Sequence, residues 1–312
     1  MENKILGLHH ITAIAGDPQR NYDFYTKILG LRMVKKTVNF DDPQTYHFYF
    51  GNEVGSPGTI LTFFPWPRAR TGQDGAGMAT EIGYSVPENS LEFWKNRFED
   101  QNIRHSPITE KFGEKQLPFL DPDGLKLCLI ESASRDERKG YKHNEINSDK
   151  TIKGFHSVTL TLNFSEETAA VLTEIFGYRK IKTEGSFHRY RTDAVENAAI
   201  VDLFILPNAY RGINSAGTNH HVAFRVKDEV DLMYMRKKVQ QHGLQITEKI
   251  NRDYFYSLYF REPGGVLFEI ATDNPGFATD ETVDELGNYL QLPERYRNIR
   301  AQIEKTLPEL KQ

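Results

Sequence analysis

A single cysteine, Cys128, among 312 residues excludes an internal disulfide framework and a cysteine-based zinc ribbon. Any metal the chain holds must therefore rest on histidine and carboxylate ligands. Neither sign of charge dominates: 39 Lys and Arg stand against 43 Asp and Glu, for a formal net charge of -4. The basic residues are interspersed with acids and form no stripe, so the field that would draw in nucleic acid is missing. No run approaches the roughly 18 apolar residues of a membrane span, and the start MENKILGLHH lacks the apolar core of a signal peptide. A cytoplasmic protein with no nucleic-acid and no membrane partner is expected. Low-complexity tracts are absent too, and at 38% hydrophobic the chain is too apolar for disorder. Its length suits two domains with real cores.

What the sequence does have is self-similarity. Four copies of a strand, a helix and further strands follow one another. The first, from about Leu8 to Pro65, opens with HHITAI, turns at Gly16-Asp17-Pro18 and enters the helical pattern NYDFYTKILG. Asp17 is its N-cap and Gly30 its C-terminal stop. LRMVKKTVNF, TYHFYF and TILTFF then carry the β-branched and aromatic residues of a half-buried sheet. The second copy, about Glu81 to Glu131, has strand EIGYSV, helix SLEFWKNRFEDQ and strands ending in DPDGLKLCLI. The third starts at Gly154 with FHSVTLTL, helix SEETAAVLTEIFG, YRKIKTEG, HRYRT and AAIVDLFIL. The fourth begins at His220 with HHVAFRV, helix EVDLMYMRKKVQQHG, YFYSLYF and GGVLFEIA. A polar stretch marks the linker. The resulting division is an N-terminal domain at 1–133, a linker at 134–153, a C-terminal domain at 154–278, and a helical extension at 279–312 broken at Pro293.

Histidines recur at strand starts, and side chains alternate between faces along a strand. Laying HITAIA on HVAFRV places His10 and His221 at one structural position, held by Glu81 in the second copy and Ser157 in the third. His156 then falls one step early, in the register of His9 and His220, facing the other way. For the last strands, EPGGVLFE on DPDGLKLC pairs Glu269 with Cys128, and PGTILTF puts Phe63 at that site. His10, His221 and Glu269 thus share a face. Two imidazoles and one carboxylate with open positions suit a non-haem Fe(II) that binds dioxygen and a chelating substrate; zinc tolerates the same donors but prefers four-coordinate geometry. Glu269, inside the apolar run GGVLFEIA, would be costly to bury without a cation or partner. Glu81, Ser157 and Cys128 make a poor metal site. His9 and His220 are open between orienting a neighbour, touching substrate and packing. His156 and His188 read as structural, and Cys128 as a small hydrophobe.

With the repeats and the triad in place, the chain resembles the vicinal-oxygen-chelate superfamily, which holds glyoxalases and extradiol dioxygenases, and is most similar to its hydroquinone-type ring-cleaving dioxygenases. The resemblance covers nearly the whole chain, through LHHITAI, YDFYTKILGLRMVKKTVNFDD, YHFYFG, GSPGTILTFFPW, GFHSVTLT, HRYR, NHHVAFRV, NRDYFYSLYFREPGGVLFEIATD and LPERYRNIRAQIEKTLPEL. It implies the glyoxalase/extradiol dioxygenase fold, an α/β (α+β) arrangement of four βαβββ modules in two domains whose mixed sheets are half-open cups. It places the metal ligands on His10, His221 and Glu269, in agreement with strand parity, and names Fe(II) as cofactor. It also implies substrate-side roles for Thr12, His220, Arg252 and Tyr259. Here His220 or Tyr259 would move a proton and Arg252 would hold negative charge. Taken alone, Tyr259 also reads as a packed tyrosine and Arg252 as a surface turn residue. The expected activity is Fe(II)-dependent ring cleavage of a small aromatic diol, a hydroquinone first, with dioxygen; a homo-oligomer is compatible with it. A glyoxalase-like isomerase or lyase using Zn, Ni or Mn, and a ligand-sequestering protein of the bleomycin-resistance kind, are the alternatives on the same fold.

Overall fold

The computed structural model describes residues 4–132 and 136–312; the expected boundary at 133/134 lies outside the described residues. The first module holds β1 (Leu8–Ala15), α1 (Pro18–Asp23), β2 (Arg32–Val38), β3 (Tyr46–Gly51) and β4 (Ile60–Pro65). The second holds β5 (Met78–Val86), α2 (Leu91–Asp100), β6 (Thr109–Lys111), β7 (Glu114–Leu120) and β8 (Lys126–Glu131). The third holds β9 (Gly154–Leu162), α3 (Glu166–Ala170), β10 (Arg179–Glu184), β11 (Phe187–Arg191) and β12 (Ile200–Ile205). The fourth holds β13 (Thr218–Val226), α4 (Glu229–Gln241), β14 (Ile250–Asn251), β15 (Phe255–Arg261) and β16 (Leu267–Pro275). No helix among the described residues is long and apolar enough to cross a membrane.

Local chemistry accounts for the helix starts. Asp17 Oδ1 accepts a 2.7 Å bond from the Arg20 amide, and Pro18 stands at the first helical turn, where its missing N–H costs nothing. The first and third helices differ from the regular helices expected: each passes into a π turn, Phe24–Ile28 and Val171–Ile175. The widened turn lets two consecutive residues, Phe24 and Tyr25 or Val171 and Leu172, face the core. Gly30 and Gly177 then end the segments in the left-handed region, at φ 66° and 76°.

The strands form two eight-stranded curled sheets, in the orders β14-β15-β16-β13-β1-β4-β3-β2 and β10-β11-β12-β9-β5-β8-β7-β6. Each sheet takes one module from either side of the linker, first with fourth and second with third. The division at 134–153 therefore does not mark out the sheets. The opening strands pair antiparallel, β1 with β13 and β5 with β9, and this covers the free edge that each module alone would leave. One apolar core joins the helices to the outer faces of both sheets, with Trp94 and Phe98 from α2 and Leu232, Met235 and Val239 from α4. A smaller apolar cluster, including Tyr49, Tyr254, Phe255 and Phe277, lines the inside of the first cup.

Beyond β16 the expected helical extension is short turns at Phe277–Thr279, Val283–Glu285 and Glu294–Ile299, followed by α5 (Arg300–Thr306). The tail bonds to the first sheet in place of itself. Lys35 of β2, with none of its surface exposed, pairs with Asp280 at 2.6 Å and Glu281 at 2.5 Å. Tyr296 donates to the Phe40 carbonyl at 2.7 Å.

A charged network crosses the second cup. Arg189 of β11 grips Asp202 of β12 with two bonds of 2.8 Å and reaches Glu114 of β7 at 2.5 Å. Glu114 in turn meets His156 Nε2 at 3.0 Å. Burial raises the Glu114 carboxyl, but His156 and Arg189 outweigh it and hold it down at about 2. Replacing Arg189 with Met leaves two buried carboxylates without their cation. Chemical denaturation of Arg189→Met should show a loss of about 3–5 kcal/mol, and an unchanged midpoint would refute the part assigned to this network.

Candidate active site

The inner face of the first cup begins with a break in strand regularity. Where β1 meets β13 the register shifts between Leu8 and His10, and again between Thr12 and Ala13, opposite His220. His9 and His220 are each the extra residue of a β-bulge, which re-aims a side chain that simple alternation would send outward. Each therefore turns to the same side as its successor. His9 Nδ1 lies 2.9 Å from His10 Nδ1, and His220 Nδ1 lies 2.8 Å from His221 Nδ1. This corrects the expectation that His9, His156 and His220 face away. His156 sits at the matching shift in the β5–β9 pair and meets Glu114 inside the second cup.

Cross-strand register also corrects the fourth corner. Thr12 of β1 pairs with Thr62 of β4, as Ala223 of β13 pairs with Glu269 of β16. Thr62 holds the place assigned to Phe63, because a one-residue slip moves a strand's side chains to the other face. Phe63 packs in the core, with its ring centroid 4.6 Å from that of Tyr25. By the same register Asp202, paired with Thr159, is the third-module counterpart of Glu269, a carboxylate that sequence alignment missed. Cys128 is buried, as expected, and burial pushes its thiol up; His188 lies on β11, away from the triad.

His10, His221 and Glu269 come together at the floor of the cup, all buried. Glu269 Oε2 is 2.8 Å from His221 Nε2 and 3.3 Å from His10 Nε2, and the two Nε2 atoms are 3.4 Å apart. Neither oxygen of Glu269 receives a hydrogen bond. Hydrogen bonds on the far side of the rings explain why. His9 Nε2 lies 3.0 Å from the Thr272 carbonyl, which can only accept, so that nitrogen carries the proton. Burial keeps His9 well below the usual histidine range, so the ring is neutral and its Nδ1 accepts from His10 Nδ1–H. His10 Nε2 is left with a bare lone pair pointing at a carboxylate. Burial also lowers His221, despite Glu269 beside it. Burial pushes the Glu269 carboxyl up, and holding it well below its ordinary value takes positive charge where the His10 and His221 nitrogens meet it. Donors around one ion, about 2.0–2.2 Å from it, lie about 3 Å apart when at right angles. The three separations fit that arrangement, and the fixed Nδ1 partners are the outer support such ligands need.

Above the triad is a cavity of about 230 Å³. Thr12, His220, Arg252 and Tyr259, all expected on the substrate side, line it. Tyr259 pairs with Glu269 across β15 and β16, its ring centroid 5.6 Å from that of His221. Burial raises its phenol, so it stays protonated near neutrality. Arg252 lies 5.3 Å from the Tyr259 ring and 5.8 Å from that of Phe40, with Asp41 at 3.7 Å, in the cavity wall and not on an open turn. Burial pushes His220 down to about 3. Phe40, Phe64, Trp66 and Phe255 supply flat apolar walls. His47 and Tyr49 also line the cavity and were not singled out in the sequence. The available signal was the alternation in YHFYF, which puts both on one face.

A half-barrel built from two βαβββ modules with two imidazoles and a carboxylate converging inside it is the architecture of a metal-dependent enzyme of the paired-module class. The chain belongs to the Glyoxalase/Bleomycin resistance protein/Dioxygenase superfamily, whose pattern matches residues 7–129 and 154–270. It is 46% identical over 307 residues, 98% of this chain and 97% of the relative, to a Bacillus subtilis protein provisionally named ring-cleaving dioxygenase MhqO. It is 32% identical over 313 residues, 98% of this chain and 97% of the relative, to the chlorohydroquinone/hydroquinone 1,2-dioxygenase of Sphingobium indicum. A crystal structure of a provisionally named dioxygenase from Bacillus subtilis superposes with a TM-score of 0.95 at 45% identity, covering 99% of this chain and 98% of that one.

Burial holds His9, His47, His220 and His221 below the usual histidine range, whereas the unfolded chain protonates each near pH 6.5. Below that pH the unfolded state binds more protons, so stability falls as pH falls, by up to about 1.4 kcal/mol per pH unit for each histidine. Chelator-treated protein should therefore show a denaturation midpoint that drops steadily from pH 6.5 downward. A flat profile to pH 5 would contradict the neutral cluster.

Proposed function

We propose that the protein is an Fe(II)-dependent ring-cleaving dioxygenase that acts on hydroquinones, with His10, His221 and Glu269 as the metal ligands. One observation carries the metal assignment: Glu269 and Asp202 occupy equivalent positions and are both fully buried, but only Asp202 has a cation, Arg189, supplied by the chain. Glu269 faces the bare Nε2 of His10 and a neutral His221, so the cation it needs must come from outside. A pocket that only sequestered an apolar ligand would gain nothing from such a carboxylate. Support for the reaction comes from full-length relatives with ring-cleaving names, one of them a hydroquinone 1,2-dioxygenase.

Bound iron would supply charge stabilisation for a deprotonated substrate hydroxyl and a route for ring electrons to dioxygen. The chain's own residues do the rest. A hydroquinone carries its hydroxyls across the ring, so only one can reach the triad and the other must be met by protein. Arg252 is placed to hold negative charge there, and protonated Tyr259 to donate beside it. Phe40, Phe64 and Phe255 clamp a flat ring and exclude water. If His221 presents Nε2 to the metal, its Nδ1–H donates to His220 Nδ1, and the remaining His220 N–H at Nε2 is free to donate to substrate.

His10→Ala and Glu269→Gln should each remove most of the bound metal without unfolding the protein; full occupancy in either overturns the ligand set. Anaerobically iron-loaded protein should take up one dioxygen per hydroquinone and place both labelled atoms in a ring-opened acid. Arg252→Ala should lower that turnover about a hundredfold while keeping the metal. Cleavage of catechols with none of any hydroquinone would overturn the substrate class. Conversion of a dicarbonyl without dioxygen would move the protein to the isomerase reading.

A further inference from the structure

One hydrogen-bond chain has both its ends in the cavity. Tyr49 OH lies 2.9 Å from His47 Nδ1, His47 Nε2 lies 2.9 Å from Thr62 Oγ1, and Thr62 Oγ1 lies 2.9 Å from Thr12 Oγ1. Sheet register fixes the spacing, since Thr62 stands between Tyr49 on β3 and Thr12 on β1 as the cross-strand partner of both. Thr12 and Tyr49, the two ends of the hydrogen-bond chain, both line the cavity. Thr12 pairs with His221, which puts its end beside the triad. The Tyr49 end shares the cavity wall with Arg252 and Tyr259.

Every member both donates and accepts, so the chain has two proton orders. In one, Tyr49 donates to Nδ1, Nε2–H donates to Thr62, Thr62 donates to Thr12, and the Thr12 O–H is left for the cavity. In the other every bond is reversed and the Tyr49 O–H is left for the cavity. The two orders differ in the tautomer of His47 and in no charge.

We propose that Tyr49, His47, Thr62 and Thr12 form a neutral proton relay for ring opening, taking a proton from a substrate oxygen at Tyr49 and returning one at Thr12. The inference rests on the ring-cleaving reading, in which the far hydroxyl loses its proton as ring electrons are drawn to dioxygen, and an oxygen near the triad takes one up. The balance closes. The substrate O–H breaks as Tyr49 oxygen gains its proton, and the Tyr49 proton passes to His47 Nδ1. The Nε2 proton passes to Thr62, that of Thr62 to Thr12, and that of Thr12 to the acceptor oxygen. Neutrality is what the surroundings demand. The His47 ring sits 4.1 Å from the ring of Tyr49 and 4.3 Å from that of Phe64, centroid to centroid. Burial pushes His47 well below and Tyr49 well above their ordinary values, so neither imidazolium nor phenolate forms easily. Tautomer exchange moves a proton without making either.

The test is dioxygen uptake by metal-loaded wild type, Tyr49→Phe, Thr62→Val and Thr62→Ser, in water and in heavy water, with metal content measured alongside. Tyr49→Phe and Thr62→Val should each lower kcat about a hundredfold, with KM for hydroquinone within about twofold and metal content unchanged. The wild-type rate should depend on deuterium fraction along a curve, as when several protons move together, and Thr62→Val should lose that curvature. Thr62→Ser, which restores the hydroxyl, should recover most of the rate. Nitrogen-15 NMR should show His47 with one protonated nitrogen from about pH 5 to about pH 9. Normal wild-type uptake with unimpaired variants, a loss confined to KM, or a doubly protonated His47 near neutrality overturns the relay alone. Absence of wild-type uptake on every hydroquinone offered overturns the ring-cleaving reading, and the relay with it.

Discussion

A buried carboxylate with no proton donor organises the first cup. Glu269 has no exposed surface, accepts no hydrogen bond and faces two imidazole nitrogens within 3.3 Å. Left so, it would cost several kcal/mol. The molecule provides its own comparison, because Asp202 sits at the same module position, equally buried, and is gripped by both arms of the Arg189 guanidinium. One cup supplies its cation from the chain. The other brings His10, His221 and Glu269 together with no cation of the chain bonded to the carboxylate, beside a cavity.

The bulges at His9 and His220 make that meeting possible. A regular strand shows one of two neighbouring residues to a given face, whereas a bulge shows both. His10 and His221 can then face Glu269 while His9 and His220, turned to the same side, hold their Nδ1 atoms. The chain from the Thr272 carbonyl through His9 to His10 sets which nitrogen of His10 is bare, so backbone at the cup wall determines chemistry at its floor.

The triad was legible because its three positions repeat in register through GGVLFEIA, HITAI and HVAF, and a glutamate inside an apolar run stands out. The four modules were legible for the same reason. Pairing of the first with the fourth was legible only through the triad, which takes His10 from one and His221 and Glu269 from the other; the division into two-module domains pointed elsewhere, because module spacing along the chain carries no information on which opening strands meet. Strand parity failed at His9, His156 and His220 because a bulge adds a residue without a local signature. It failed at Phe63 because matching the Pro-Gly pairs of PGTILTF and EPGGVLFE hides a connection one residue shorter in the first module. His47 was passed over as one polar residue in an aromatic strand, and nothing short of the fold brings Thr62 and Thr12 to it.

Those omissions share a cause, which also explains why two cups of common design differ. Donors that bind an ion directly are fixed by a few strand positions, and repetition exposes them. Groups that receive a substrate are assembled from the strands and from what covers them. Arg252 is set against Phe40 and Asp41 of the β2–β3 connection, and Phe40 is held in turn by Tyr296 of the tail. Lys35 anchors the same tail by two acids from inside the sheet. The tail follows only the fourth module, and β2 belongs to the first, so it can brace only the cup that those two modules build. The second cup draws Arg189 and Glu114 from its own strands, and the segment that follows the second module lines it, with Asp136 and Arg138 beside Glu114 and His156. The cups thus differ in which part of the chain covers them, the C-terminal tail at the first and the linker at the second.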